Sequence, residues 1–273
     1  MKRRGVHRPS VEDAIELSGI ETLHPGGLAL TRRTGEVGGL RPGLSVLDVS
    51  SGRGTQALFY ARTFDVSVTG VDISEEMVRV ARARAEQAGL SDRVRFELGD
   101  SQKLLFPDQS FDVVINECAV GIPDDSQAVL NEMVRVVRPG GSVVIHESTW
   151  RRLLSPSEKD ELAERYGTTP LDAEQWTSML LRAGVRDLQS ELEPWSQPEM
   201  FWNIRQERQV RAPSRILSLR ERLRLSRRIV AGHGLAGLAK AFENERRFFR
   251  AVRAGKLGYG LYWGRRPGAA DRA

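Results

Sequence analysis

The sequence predicts an α/β fold in which a parallel sheet carries helices on both faces. Three observations carry that prediction. Short apolar runs rich in β-branched residues recur after the first forty residues, amphipathic stretches with helical apolar spacing separate them, and the first run leads into a glycine turn, "DVSSGRGT" at residues 48–55. With 273 residues and 40% hydrophobic content, the chain can bury one large core and carry an appendage.

The elements follow in order. Residues 10–20, "SVEDAIELSGI", predict a short helix with Ser10 as N-cap and Asp13 in its first turn. "HPGG" breaks the chain, and a second helix is expected from Leu28 to about Val37, stopped by Gly38 and Gly39. Strand-like runs then occur at "LSVLDVS", "VSVTGVDI", "VRFELGD", "FDVVINE" and "GSVVIHES". The helical stretches between them are "TQALFYARTF", "EEMVRVARARAEQAG" and "DSQAVLNEMVRVV", which makes the units βαβ and their crossovers right-handed. A helix is expected near Ser157 to Tyr166, and a clearer one in "DAEQWTSMLLRAGV" with Gly184 as its stop. A sixth strand, "VRDLQSEL", follows. Residues 199–256 read as two or three basic helices, including "RILSLRERLRLSRRIV" and "LAKAFENERRFFRAVRAG". "LGYGLYWG" reads as a last strand ahead of a disordered tail.

Composition narrows the function classes. No apolar stretch is long enough to cross a bilayer, and the opening "MKRRGVHRPS" is not followed by the apolar segment of a secretory signal, so a cytoplasmic protein is expected. The single cysteine, Cys118, excludes an internal disulfide and any multi-cysteine metal site, and no metal is expected. The net charge of +5 hides an asymmetry: residues 201–273 carry eighteen Lys or Arg against five Asp or Glu, while the rest is net acidic. A solvated arginine-rich face is the commoner cause of such a tail. Contact with nucleic acid or an anionic membrane surface is the sharper alternative.

Ligands of an open parallel sheet bind beyond the carboxyl ends of its strands, where strand order switches. The first strand ends at the quoted turn, where Gly52 and Gly54 allow torsions and close approach that a side chain would block. "GRGTQA" also satisfies the dinucleotide pattern, so a nicotinamide or flavin enzyme competes. Three acidic positions bear on the choice. Asp48, four residues before Gly52, would repel a pyrophosphate and suits a cationic ligand. Asp72 ends the second strand, where a carboxylate accepts from ribose hydroxyls, a feature shared with nicotinamide enzymes. Asp100, followed by Ser101, ends the third and can accept from an exocyclic adenine amine.

On these residues the sequence resembles the class I S-adenosylmethionine-dependent methyltransferases, of small-molecule type. The resemblance rests on "VLDVSSGRG", "GVDISEEMVRVARARA", "FELGD", "FPDQSFDVVINE" and "VLNEMVRVVRPGGSVVIHE", in the family's order and spacing, over roughly residues 40–195. It implies a Rossmann-like seven-stranded sheet with an antiparallel last strand. It also implies an N-terminal helical lid (1–39), a cofactor-binding core (40–198), a basic helical insertion between strands six and seven that covers substrate (199–256), and the last strand with its tail (257–273). The implied cofactor is S-adenosyl-L-methionine. Gly52 and Gly54 would line its methionine part, Asp72 its ribose, and Asp100 with Ser101 its adenine; Asp48, Ser50, Ile73 and Asn116 belong to the same set. Ser50 stands where the family's Asp-x-Gly-x-Gly-x-Gly loop has its first glycine. Serine fits there with ordinary torsions, whereas a positive φ would cost on the order of 1 kcal/mol.

In this fold the end of the fourth strand, "NECAVGI", faces the transferred methyl group, which makes Asn116, Glu117 and Cys118 the nearest candidates for substrate contact. The Asn/Asp-Pro-Pro-Tyr/Phe motif of amino-group enzymes, the Pro-Cys nucleophile of cytosine C5 enzymes and the several cysteines of arsenite enzymes are all missing, and Cys118 reads as a packing residue. His146 and Glu147 end the fifth strand, and His24 lies in "LHPGG". A histidine near its unperturbed pKa can take a proton from a hydroxyl, thiol or activated carbon. The candidate catalytic set is therefore Glu117, His146 and His24. Phe201 and Trp202 are either substrate cover or an anchor for the basic helices. The expected chemistry is in-line methyl transfer to a small organic molecule. An RNA or a lipid/quinone methyltransferase using the basic helices, and a cofactor-binding module without transfer, remain the alternatives.

Overall fold

The computed structural model describes residues 24–151, 154–160, 170–197 and 219–268. Its elements are α1 (Gly27–Val37), β1 (Ser45–Val49), α2 (Thr55–Phe64), β2 (Ser67–Asp72), α3 (Glu75–Gln87), β3 (Val94–Leu98), β4 (Phe111–Glu117), α4 (Ser126–Val136), β5 (Val137–Trp150), β6 (Leu171–Asp172), α5 (Ala173–Ala183), β7 (Arg186–Glu191), α6 (Glu193–Ser196), α7 (Leu219–Arg253) and β8 (Leu257–Arg265).

The strand order is β3-β2-β1-β4-β5-β8-β7, with β6 pairing β5. All neighbours pair in parallel except β8, which runs antiparallel to both β5 and β7. The order therefore turns at β1, which pairs β2 on one side and β4 on the other, and this opens a crevice at their carboxyl ends. The implied seven-stranded sheet gains an eighth member in the two-residue β6. The expected fifth strand begins earlier, at Val137, which pairs with Phe111 before the register shifts at Val113–Ser142.

Local chemistry accounts for the element ends. Ser74 caps α3 by accepting from the Met77 amide at 3.3 Å, with Glu75 and Glu76 in the first turn against the helix dipole. Asp172 and Gln175 form a reciprocal capping box on α5, and Gly184 closes it at φ 103°.

Two apolar clusters sandwich the sheet. Leu30, Tyr60, Ala81, Phe96, Ile115, Val144 and Tyr259 bury one face under α1, α2 and α3; Val114, Leu130, Met133, Trp176 and Tyr262 bury the other under α4 and α5. The central strands β4 and β5 carry buried Val-Val-Ile runs at 113–115 and 143–145, as parallel strands covered on both faces do. α1 presses Leu30, Thr31 and Thr34 into the first cluster, and Arg33 donates to Glu191 of β7 at 3.1 Å. Among the described residues of 199–256, α7 is broken at Gly234, whose φ of 67° and ψ of −175° divide it into two arms. The helix expected at residues 10–20, and Phe201 and Trp202, lie outside the described residues. Of the helix expected near Ser157 to Tyr166, only its start is described, with 156–160 helical.

Candidate functional site

The crevice is organised by a contact between the first loop and the second strand. Asp72 ends β2 and its Oδ2 accepts the Gly52 amide at 2.8 Å, while Oδ1 accepts the Ser74 amide at 2.9 Å. One carboxylate thus ties the β1 loop to the start of α3. The Ser51 amide completes the bend by donating to the Val71 carbonyl at 2.9 Å. Ile73, next in sequence, leaves 71% of its surface exposed and offers an apolar face beside the carboxylate.

The loop's torsions differ from the expectation at one point. Ser50 has φ 59°, so the residue in the first-glycine position is left-handed and strained rather than ordinary. Gly52, at φ 51°, has nothing within 4 Å of where a Cβ would stand, so this side of the loop opens on free space. Gly54, at φ 73°, is different. A Cβ there would fall inside the envelope of the Phe96 ring, with Ala81 Cβ at 3.1 Å, so its missing side chain serves packing rather than the crevice. Any contact from Gly54 to a ligand would come from its backbone.

The crevice floor holds buried polar atoms without partners. Asp48, 2% exposed, accepts from the Ala57 amide at the start of α2, and its Oδ2 has no partner. Burial, reinforced by the charges of Glu117 and Asp72, pushes its pKa well above the usual carboxylate range. Asn116 accepts the Ala119 amide at 3.0 Å and leaves Nδ2 unpartnered; Ser51 Oγ is likewise unpartnered. A buried carboxylate oxygen that lacks a donor fits a cationic group, and an adenosyl sulfonium carries an ammonium and a sulfonium to supply it. Asp100 stabilises its own loop, accepting the Gln102 amide at 2.8 Å, and Ser101 beside it is buried.

The three candidate catalytic residues, up to 122 positions apart in sequence (24 to 146), meet in one buried cluster. Glu117 and His146 are register partners on β4 and β5, and His24 enters from the turn before α1. Glu117 Oε2 lies 3.0 Å from His146 Nε2 and 3.2 Å from His24 Nε2. It also accepts the Thr31 hydroxyl at 2.9 Å, and Oε1 accepts the Tyr60 hydroxyl. The imidazole rings are 4.9 Å apart. On their outer sides, His24 Nδ1 donates to the Pro25 carbonyl at 3.1 Å and His146 Nδ1 bonds the Tyr259 hydroxyl at 2.9 Å. Burial alone would raise the Glu117 pKa, but the two imidazoles and the Tyr60 hydroxyl outweigh it and hold the carboxylate down at about 2. Burial pulls His24 the other way for a base, down to about 4, against the attraction of Glu117.

On the opposite sheet face, Glu147 accepts the Val120 amide at 2.6 Å and further amides of the loop after β4, yet burial pushes its pKa up to about 7. Cys118 sits at φ 65°, and burial with the Glu147 charge raises its thiol, so it is no thiolate nucleophile. Sequence reasoning did not identify Thr31, Tyr60, Tyr259 or Ser51. Tyr60 and Tyr259 sit at apolar-periodic positions in "TQALFYARTF" and "LGYGLYWG", where a tyrosine reads as core; only the facing carboxylate reveals their hydroxyls.

A family described as a methyltransferase domain matches residues 46–141. A 27-O-demethylrifamycin SV methyltransferase from Amycolatopsis mediterranei is 39% identical over 140 residues, 50% of this chain and 51% of that protein. The chain spans from about a third to about two thirds of the length of the curated relatives compared with it, and about half or less of most of them. Among solved structures, phosphoethanolamine N-methyltransferase 2 of Haemonchus contortus in complex with S-adenosyl-L-methionine superposes with a TM-score of 0.71 at 19% identity, covering 96% of this chain and 58% of that one. The [4+2]-cyclase SpnF superposes at 0.70 with 24% identity, covering 88% and 82%. At these identities the structural likeness is one of fold.

Proposed function

We propose that this chain, which carries a class I S-adenosylmethionine-dependent methyltransferase domain, transfers the sulfonium methyl group of S-adenosylmethionine to a small organic acceptor in the cytoplasm. One observation carries the reading: the Asp72 carboxylate is bonded to the Gly52 amide at 2.8 Å beside the buried, half-partnered Asp48. That arrangement holds an acceptor for ribose hydroxyls and an acceptor for a cation at adjacent strand ends, which suits an adenosyl sulfonium better than a pyrophosphate. Asp100, Ser101, Ile73 and Asn116 would line the rest of the cofactor, and Ser50 and Gly52 would border its methionine part.

Because a sulfonium methyl is already activated, alignment and exclusion of water do most of the work, with a base added when the acceptor is protonated. Glu117, His146 and His24 supply that base: an imidazole takes the proton and the ionised Glu117 stabilises the resulting cation. Their burial under α1 keeps the base dry. The small-molecule acceptor is supported by the relative named for a rifamycin.

The strained Ser50 weighs toward a domain that binds without transferring. The strain is on the order of 1 kcal/mol, small against the roughly 8 kcal/mol of micromolar binding, so it leaves cofactor binding intact. The test is incubation with methyl-labelled cofactor and a fractionated extract, with Asp72→Ala as the control. Label should enter small molecules and be lost in the variant. Label in RNA or lipid alone, or none at all, overturns the proposal.

A further inference from the structure

His24 raises a question that hydrogen bonding within the chain does not answer. Its Nδ1 faces the Pro25 carbonyl, which only accepts, so the ring hydrogen of a neutral His24 sits on Nδ1. Nε2 then presents a lone pair that faces the Thr31 hydroxyl at 3.3 Å and the Glu117 carboxylate at 3.2 Å, and the single hydrogen of Thr31 is already directed at Glu117 at 2.9 Å. The His146 Nδ1 bonds the Tyr259 hydroxyl, which can donate or accept, while its Nε2, on a fully buried ring, lies 3.0 Å from the same Glu117 oxygen with no aligned hydrogen-bond partner. A positive ion between the three converging ligand atoms would satisfy the unpartnered His146 Nε2 and the His24 lone pair together, in a dry site where neither has a hydrogen of its own to rely on from Glu117.

The spacing fits an ion. Two ligands bound to one divalent metal at about 2.0–2.2 Å stand about 2.9–3.5 Å apart for angles from octahedral to tetrahedral; the two nitrogen–oxygen separations are 3.0 and 3.2 Å, and all three ligand atoms lie within 4.8 Å of one another. The outer nitrogens are each held by a fixed oxygen, the arrangement that orients metal-binding imidazoles. Asp48 shares the sheet face of Glu117, two rungs along, and places a second carboxyl near the charge.

We propose that His24, Glu117 and His146 bind one divalent transition-metal ion of the zinc class, between the turn before α1 and the paired ends of β4 and β5. The donor set is two neutral imidazoles and one carboxylate, which suits zinc, cobalt or iron(II) and disfavours magnesium. The ion ties α1 to the sheet. It also competes for the nitrogens that the proposed function uses as a base, so within that reading the loaded site cannot take up the acceptor's proton.

The test needs no cofactor or substrate. The full chain is stripped with chelator and titrated with Co2+, Zn2+ and Mg2+. One Co2+ per chain with visible d–d absorption, displaced by Zn2+ and unaffected by Mg2+, is expected. His24→Asn and His146→Asn should each weaken binding at least tenfold, and Tyr259→Phe, which leaves all three ligands in place, should weaken it about tenfold. The double variant His7→Ala/His233→Ala should bind as the parent does, which excludes adventitious histidines. Circular dichroism checks that each variant folds; if His146→Asn does not, His24→Asn and Tyr259→Phe decide the matter. A folded, stripped protein that takes up no Co2+, or binding undiminished in the folded variants, overturns the proposal. Binding of S-adenosylhomocysteine by the stripped protein reports on the methyltransferase reading separately.

Discussion

Replacing Ser50 with glycine isolates the one residue of the β1 loop whose backbone is at odds with its side chain. At φ 59° it occupies the left-handed region, which costs an L-residue about 1–2 kcal/mol. Glycine removes that strain but gives the unfolded chain more freedom, worth about 0.4–1 kcal/mol in the other direction. The net gain is therefore about 0.5–1 kcal/mol, or roughly 2 °C in melting temperature for a chain of this size. Urea unfolding followed by circular dichroism reads the first quantity and scanning calorimetry the second. Asp65→Gly serves as the contrast. Asp65 is also left-handed, at φ 56°, but its carboxylate pairs with Arg93, so glycine there relieves strain and deletes a contact together. A Ser50→Gly protein destabilised by more than about 0.5 kcal/mol would refute the reasoning, because the serine side chain would then be stabilising a conformation argued to strain it.

Other substitutions probe the same loop and its surroundings. Asp72→Asn keeps one acceptor for the two amides now bonded to the carboxylate, and should weaken S-adenosylhomocysteine binding by about 1–3 kcal/mol in calorimetry; unchanged affinity would remove Asp72 from the site. Gly54→Ala drives a methyl into Phe96 at a positive φ and should cost about 2–4 kcal/mol, while Gly52→Ala, with open space around it, should cost only about 1 kcal/mol; equal losses in denaturant melts would contradict the packing. Glu147 tests the electrostatics. Its native pKa of about 7 lies above its unfolded value, so the native state binds the extra proton between about pH 4.5 and 7 and loses stability as pH rises through that window. Glu147→Gln should remove that loss, gaining on the order of 3 kcal/mol relative to the parent between pH 4.5 and pH 8. His24, shifted the opposite way, is the same in both proteins and cancels from the comparison; identical pH slopes would count against the buried acid.

The parts of the site written in contiguous residues were legible in the sequence. Asp48, Gly52, Asp72 and Asp100 each sit at a strand end fixed by a local apolar run, and the parallel sheet brings those ends together whatever the side chains between them. Ser50 was legible as a departure, but not its torsion, because φ depends on how the loop closes onto Val71 and Asp72. Gly54 looked like a cofactor glycine for the same reason. Its role comes from Phe96, a β3 residue 42 positions away (54 to 96), which no local pattern can pair with it. The buried cluster was half legible: Glu117 and His146 stood at strand ends, whereas Thr31, Tyr60 and Tyr259 come from periodic positions indistinguishable from core. The lengths of α7 and β5 reflect tertiary context, a kink at Gly234 and a register shift beside the Pro-Gly-Gly turn, rather than propensity.

The most direct measurement is a calorimetric titration of the purified chain with S-adenosylhomocysteine and, separately, with NADH. One S-adenosylhomocysteine per chain at micromolar affinity, with NADH at least a hundredfold weaker, is the result expected from a ribose acceptor set beside a buried carboxylate. NADH binding as tightly, or neither ligand binding at all, would contradict it.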